Sequence, residues 1–157
     1  MADELILSIE KLIYGGYGLA HTGGNTVFVP YVLPGEEVRA AAKSIKKKLI
    51  WAELLEVTSP RQDRQKPRCP HFQKCGGCHY QHISPAEQLQ LKKEILRETL
   101  SRLGGVSWDA AIQEHAGEPY GYRNRAQWAV RGALPKALGY FLPESSVILP
   151  IDECPVL

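Results

Sequence analysis

The chain has 157 residues, of which 44% are hydrophobic and 23% charged, with 19 Lys/Arg against 17 Asp/Glu and a net charge of +2. This is globular composition with room for one domain or two small ones, and the overall charge is too small to imply a polyanionic partner unless the bases are gathered locally. No apolar run is long enough to span a membrane, and the opening MADELILSIEK has acids where an export signal would have bases. The expected compartment is therefore the cytoplasm, where clustered thiols bind metal more often than they form disulfides.

Residues 1–60 have the pattern of short strands separated by glycine turns. Leu5, Leu7 and Ile9 alternate as a half-buried strand does, and Gly15, Gly16 and Gly18 break that pattern. Thr26–Pro30 follows a Gly23-Gly24-Asn25 turn signal, and Pro34-Gly35 marks another turn. Val38–Ile45 and Leu49–Val57 form a predicted hairpin joined near Lys46, Lys47 and Lys48. About five short strands in sixty residues predict a small OB-like β-barrel, a fold that holds single strands in a basic groove with aromatic platforms. Tyr14, Tyr17, Phe28, Tyr31 and Trp51 are the aromatics available, most of them expected in the core.

The bases are uneven along the chain. Between Arg39 and Arg68 stand nine Lys/Arg against three acids, a local +6, which leaves the remainder net acidic. Such a confined zone suits RNA, and equally suits a sheet edge protected by exposed lysine.

Residues 61–84 lose all periodicity and hold three cysteines, three histidines and several prolines. The spacing is Cys69-x5-Cys75-x2-Cys78, with Cys154 remote. Gly76 and Gly77 free the backbone to curl between two thiols, and Pro70 and Pro155 each stiffen the chain after a cysteine. Three local thiolates and one remote one suit an iron–sulfur cluster. Zinc is the rival, with His71, His79 or His82 able to replace Cys154, although structural zinc ligands more often come as two short pairs.

Ser84-Pro85-Ala86-Glu87 combines an N-cap, a first-turn proline and a capping-box acid, so a helix is predicted to run to the Gly104-Gly105 stop. Leu89, Leu96, Leu100 and Leu103, widened by Ile95, make its predicted packing face. Tyr122–Arg131, Leu138–Phe141 and Val147–Ile151 are three predicted strands, the start of a further sheet. On the first, Arg123, Arg125 and Gln127 share one face by period two, and Trp128 faces the core. The residues give no plausible acid–base pair, no Ser/His/Asp arrangement and no G-x-S-x-G.

The string Arg68-Cys69-Pro70-x-Phe72-x-x-Cys75-Gly76-Gly77-Cys78-x-x-Gln81-His82, followed by Gln88-Leu89-x-x-Lys92, resembles the RNA (uracil-5-)-methyltransferase family. Tyr120–Ala126 resembles the start of that family's central RNA-contacting region, and Cys154–Leu157 its fourth ligand segment. Gly16-x-Gly18-Leu19-Ala20, Val27–Pro30 and Leu33–Glu36 resemble a TRAM barrel. The resemblance implies a β-rich α+β chain in three parts. These are a TRAM-like RNA-binding barrel at 1–60, a cluster loop at 61–84, and a helix with the start of the central region at 85–157. It implies a [4Fe–4S] cluster on Cys69, Cys75, Cys78 and Cys154. It also implies RNA contacts, expected to be with ribosomal RNA, at Lys46, Lys47, Lys48, Arg123, Arg125 and Gln127. Family members are more than twice as long. S-adenosylmethionine would bind only where a catalytic domain or subunit supplies its pocket, so this chain alone is expected to be inactive. The alternative is a stand-alone RNA-binding module stapled by an iron–sulfur cluster or zinc.

Overall fold

A computed structural model describes residues 4–131, 137–143 and 145–157. These residues fall into two compact units, one of residues 1–65 with 82–113 and the other of 66–81 with 114–157. None of the described helices is long and apolar enough to cross a membrane.

The first unit is a curled six-stranded, OB-like sheet with one helix. Its strands are β1 (Glu4–Ser8), β2 (Lys11–Ile13), β3 (Tyr17–Thr22), β4 (Asn25–Pro30), β5 (Glu37–Lys46) and β6 (Leu49–Ser59), in the order β1-β5-β6-β4-β3-β2. All pairs are antiparallel except β4 with β6. The two edge strands are successive halves of one stretch that bends at Ile9-Glu10. Ile9 N–H donates to the Glu36 carbonyl (2.9 Å) and Glu10 N–H to that of Leu19 (2.9 Å). The bend lets one segment pair with both ends of the sheet and curl it round a core of Leu7, Ile9, Ala20, Val27, Val29, Val32, Val38, Ala40, Ile50 and Ala52.

The hairpin predicted around the lysine triplet is present as β5 and β6, closed by Lys47 and Lys48 with Lys47 in the left-handed region at φ 55°. Gly18, expected to interrupt a strand, instead lies inside β3. A Cβ there would collide with Val32 Cγ2 and stand 2.9 Å from Ile9 Cγ2, so glycine serves close packing inside the barrel.

The helix α1 (Pro85–Gly104) starts and stops as its sequence signals require. Ser84 Oγ accepts from Glu87 N–H at 3.2 Å, and Gly105 takes the left-handed conformation at φ 63°. Its packing face is the predicted one only in part. Leu89, Ile95 and Leu100 are half-buried as expected, whereas Leu96 and Leu103 are exposed and the buried residue is Leu91. The helix meets β2, where Lys11 Nζ donates to Glu98 Oε1 at 2.6 Å, two turns beyond Leu91.

A buried carboxylate ties this unit together. Glu36, with no exposed surface, accepts from Leu33 N–H (2.8 Å), Arg61 N–H (3.3 Å) and Arg64 Nη1 (2.7 Å). Arg64 Nη2 also reaches the Tyr31 carbonyl at 2.9 Å. Gln65 N–H then donates to the His82 carbonyl at 2.9 Å, so the residues flanking 66–81 meet.

The second unit contains a three-stranded antiparallel sheet of β7 (Ala129–Arg131), β8 (Ala137–Phe141) and β9 (Ile148–Pro150). The strand predicted from Tyr122 begins only at Ala129. Upstream, Gly121 N–H donates to the Pro155 carbonyl (2.9 Å) and Arg123 N–H to that of Val156 (2.8 Å). The backbone there pairs with the tail instead of a sheet neighbour. Arg123, Arg125 and Gln127 are exposed on this irregular segment, so strand alternation does not place them on one face. Trp128 is half-buried, edge-on to Tyr140 at 6.4 Å.

Candidate functional site

The segment from Cys69 to Cys78 is a succession of tight turns. Phe72 N–H donates to the Cys69 carbonyl (3.2 Å), and Lys74 and Cys75 N–H both donate to that of His71 (3.1 and 3.0 Å). Gln81, 9% exposed, accepts from Cys69 N–H at 2.9 Å and closes the loop from its far end. Gly76 adopts φ 71°, and a Cβ on it would lie 2.7 Å from Pro143 Cγ. A Cβ on Gly77 would lie 3.3 Å from Cys75 Sγ. The two glycines therefore let the chain reverse between Cys75 and Cys78 while Pro143 packs directly on the turn.

Cys154 arrives from the tail. Leu157 N–H returns to its carbonyl at 3.0 Å, and the Gly121 and Arg123 amides hold the residues between. All four half-buried cysteines, Cys69, Cys75, Cys78 and Cys154, line one cavity of about 240 Å³. Phe72, Tyr140, Phe141 and Val156 supply its apolar wall, and Arg123 its cation. Burial pushes the Cys69 thiol above its usual value, and the nearby Cys78, Cys154 and Cys75 thiols push the same way by like-charge repulsion. Among the described residues, no three or more His, Cys, Asp or Glu side chains converge tightly enough to hold a metal ion as they stand.

Of the histidines offered as substitute ligands, His71 lines the cavity. His82 belongs to the other unit, 1% exposed, with Nε2 donating to the Val32 carbonyl at 3.2 Å. That hydrogen bond commits the His82 ring to the barrel.

Much of the basic zone is neutralised within the fold. Arg39 pairs with Glu56 (3.2 Å) and Glu4 (3.7 Å), Lys43 with Glu53 (3.9 Å), Arg61 with Asp63 and Glu87, and Arg64 with Glu36. The Arg68 guanidinium lies over the Tyr120 ring at 5.0 Å. Lys46, Lys47 and Lys48 project from the exposed hairpin tip, and among the described residues no acid pairs with them. Charge counting could not separate these three from the rest. Gln81, Arg68 and Tyr120 stand in the strings quoted above, but the Gln81–Cys69 bond and the Arg68–Tyr120 stack have no periodic signal that would foretell them.

No protein-family model matches the chain. Curated relatives do. A protein of Alkalilimnicola ehrlichii named 23S rRNA (uracil(1939)-C(5))-methyltransferase RlmD is 38% identical over 96% of this chain and 35% of its own length. Proteins of the same name from Nitrosococcus oceani and Shewanella baltica are 40% and 34% identical, over 96% and 100% of this chain and 34% and 36% of theirs. The chain therefore spans about a third of the length of the relatives it matches. Among solved structures, Pyrococcus abyssi tRNA (uracil-54, C5)-methyltransferase in complex with S-adenosyl-L-homocysteine shares the fold. Its TM-score is 0.57 at 24% identity, covering 96% of this chain and 32% of that one. From barrel to tail, the 157 residues match the N-terminal region of the RNA (uracil-5-)-methyltransferase family.

Proposed function

We propose that this chain is the RNA-recognition and iron–sulfur region of an S-adenosylmethionine-dependent uracil-5-methyltransferase of ribosomal RNA, working in the cytoplasm. Cys69, Cys75, Cys78 and Cys154 hold a [4Fe–4S] cluster in this reading, while Lys46, Lys47, Lys48, Arg123, Arg125 and Gln127 meet RNA. One observation carries it: four thiols, three local and one from the tail, face a single cavity. A cavity of about 240 Å³ has room for a polynuclear group, and three local thiolates with one remote one are a ligand pattern that iron–sulfur clusters use, whereas structural zinc ligands more often come as two short pairs.

Each part of the chain has a distinct task. The Cys-Gly-Gly-Cys turn presents two sulfurs from one reversal, and Gln81 fixes the backbone at a third. The tail's pairing with Gly121 and Arg123 delivers the fourth. When bound, the cluster would supply a cross-link and a compact anionic centre, which Arg123 at the cavity wall is placed to balance. Uracil C5 is a poor nucleophile, and activating it by thiolate addition at C6 needs an uncommitted cysteine. All four here line one cavity, so methyl transfer falls to a catalytic domain or subunit carrying its own thiol and cofactor pocket.

Anaerobic reconstitution followed by metal and sulfide analysis tests the reading. The expected result is four iron and four acid-labile sulfide per chain, with most of it lost in Cys154→Ser. One zinc per chain with no sulfide would overturn it.

A further inference from the structure

The register around the hairpin tip gives the three lysines already assigned to RNA a set of outward-facing neighbours. In β4 and β6, Val27, Val29, Ile50 and Ala52 point into the core, so their alternating neighbours Phe28 and Trp51 point outward. Phe28 is the direct partner of Trp51, and their rings sit 5.3 Å apart at 46°. Two residues nearer the tip, and so on the same face, Thr26 pairs with Leu49 and Leu49 with Lys46. The same outer face therefore carries two half-buried aromatic rings, an apolar step at Leu49 that is 40% exposed, and then Lys46, with Lys47 and Lys48 in the turn beyond it.

We propose that the outer face of β4 and β6, with Phe28 and Trp51 at its centre and Lys46, Lys47 and Lys48 along its rim, is a stacking platform for single-stranded RNA. The proposal deepens the RNA-recognition reading above and rests on it. The chemistry selects the occupant. Three clustered cations with no acid partner among the described residues call for a polyanion, and two half-buried rings on the outer face with exposed Leu49 between them and the tip call for a ligand that also carries flat apolar surface. An unpaired RNA segment offers both at a spacing of one nucleotide. A duplex hides its base faces, and an acidic peptide would use the lysines but leave the rings idle. Stacking of this kind tolerates any base, so the platform gives affinity and direction while sequence is read elsewhere.

Fluorescence titration of the full chain with oligouridylate tests this, comparing wild type with Trp51→Phe and Trp51→Ala, each checked by thermal melting. Saturable quenching is expected in wild type and should be largely lost in Trp51→Phe, a variant that keeps an aromatic ring and the barrel. Trp51→Ala should weaken binding roughly tenfold. Replacing Lys46, Lys47 and Lys48 together by alanine should lower the log–log salt slope by about 2. A duplex of equal length should bind more weakly. Oligouridylate binding that is indifferent to both Trp51 variants, or duplex binding of equal strength, would overturn the platform while leaving RNA recognition standing. Failure of the wild-type chain to bind any RNA would overturn both.

Discussion

His82 lies 1% exposed among barrel residues, with Nε2 donating to the Val32 carbonyl, and burial pushes its imidazole down to about 4. The Arg64 charge adds to the depression. Unfolded, the same group would titrate near 6.5. The native state therefore holds this ring neutral while the unfolded chain takes up a proton, and stability falls as pH drops from 6.5 towards 4. The expected loss is about 3 kcal/mol across that window, measurable as a falling urea midpoint, and His82→Gln should flatten the profile. Nothing in the local string marks this histidine apart from His71, which lines the cysteine cavity. The distinction comes from a carbonyl fifty residues away in the chain. The gathering of Cys69, Cys75 and Cys78 was legible by contrast, because thiols three and six residues apart in one loop are neighbours by chain length alone, whereas the arrival of Cys154 at the same cavity depends on the tail.

Elements whose causes are local could be anticipated. The helix is the clearest: Ser84, Pro85 and Glu87 define its start and Gly105 its end by interactions spanning a few residues. Ser84→Ala should cost about 1 kcal/mol of stability in denaturant unfolding, with Ser84→Asp close to wild type. The lysine-tipped hairpin was equally readable from its alternation and turn. Two elements were misread, and both depend on partners distant in sequence. The helix was assigned to the face with more leucines; Leu89, Ile95 and Leu100 of that face are half-buried, but Leu96 and Leu103 are exposed and Leu91 outside it is buried. The segment from Tyr122 alternates like a strand, yet its Gly121 and Arg123 amides are claimed by the tail carbonyls of Pro155 and Val156. Gly18 misled in the opposite direction: a residue that usually ends strands is required within one because Val32 and Ile9 leave no space for a side chain.

At the scale of the whole molecule, the two units rest on different sources of order. Among the described residues, the buried apolar side chains of the second unit are Ile151 and Val156, while all others belong to the first. Two such side chains cannot offset the conformational entropy of some sixty residues. The second unit should therefore depend on whatever its cysteines bind. Stripping metal should abolish the slow hydrogen exchange of the Gly121 and Arg123 amides while protection in β3 to β6 persists. Cys75→Ser should do the same without a chelator. Uniform loss of protection throughout the chain would contradict this division.

The meeting of Gln65 and His82 across a single hydrogen bond carries a consequence for how such a chain can be rearranged. The sulfur-bearing stretch leaves the barrel and rejoins it at adjacent points, so from the barrel's side it is a detour that a peptide of two or three residues could bypass. Its loss or exchange would leave the strands on either side joined at the same two points. The order of the sheet would then stand apart from whatever the thiols hold.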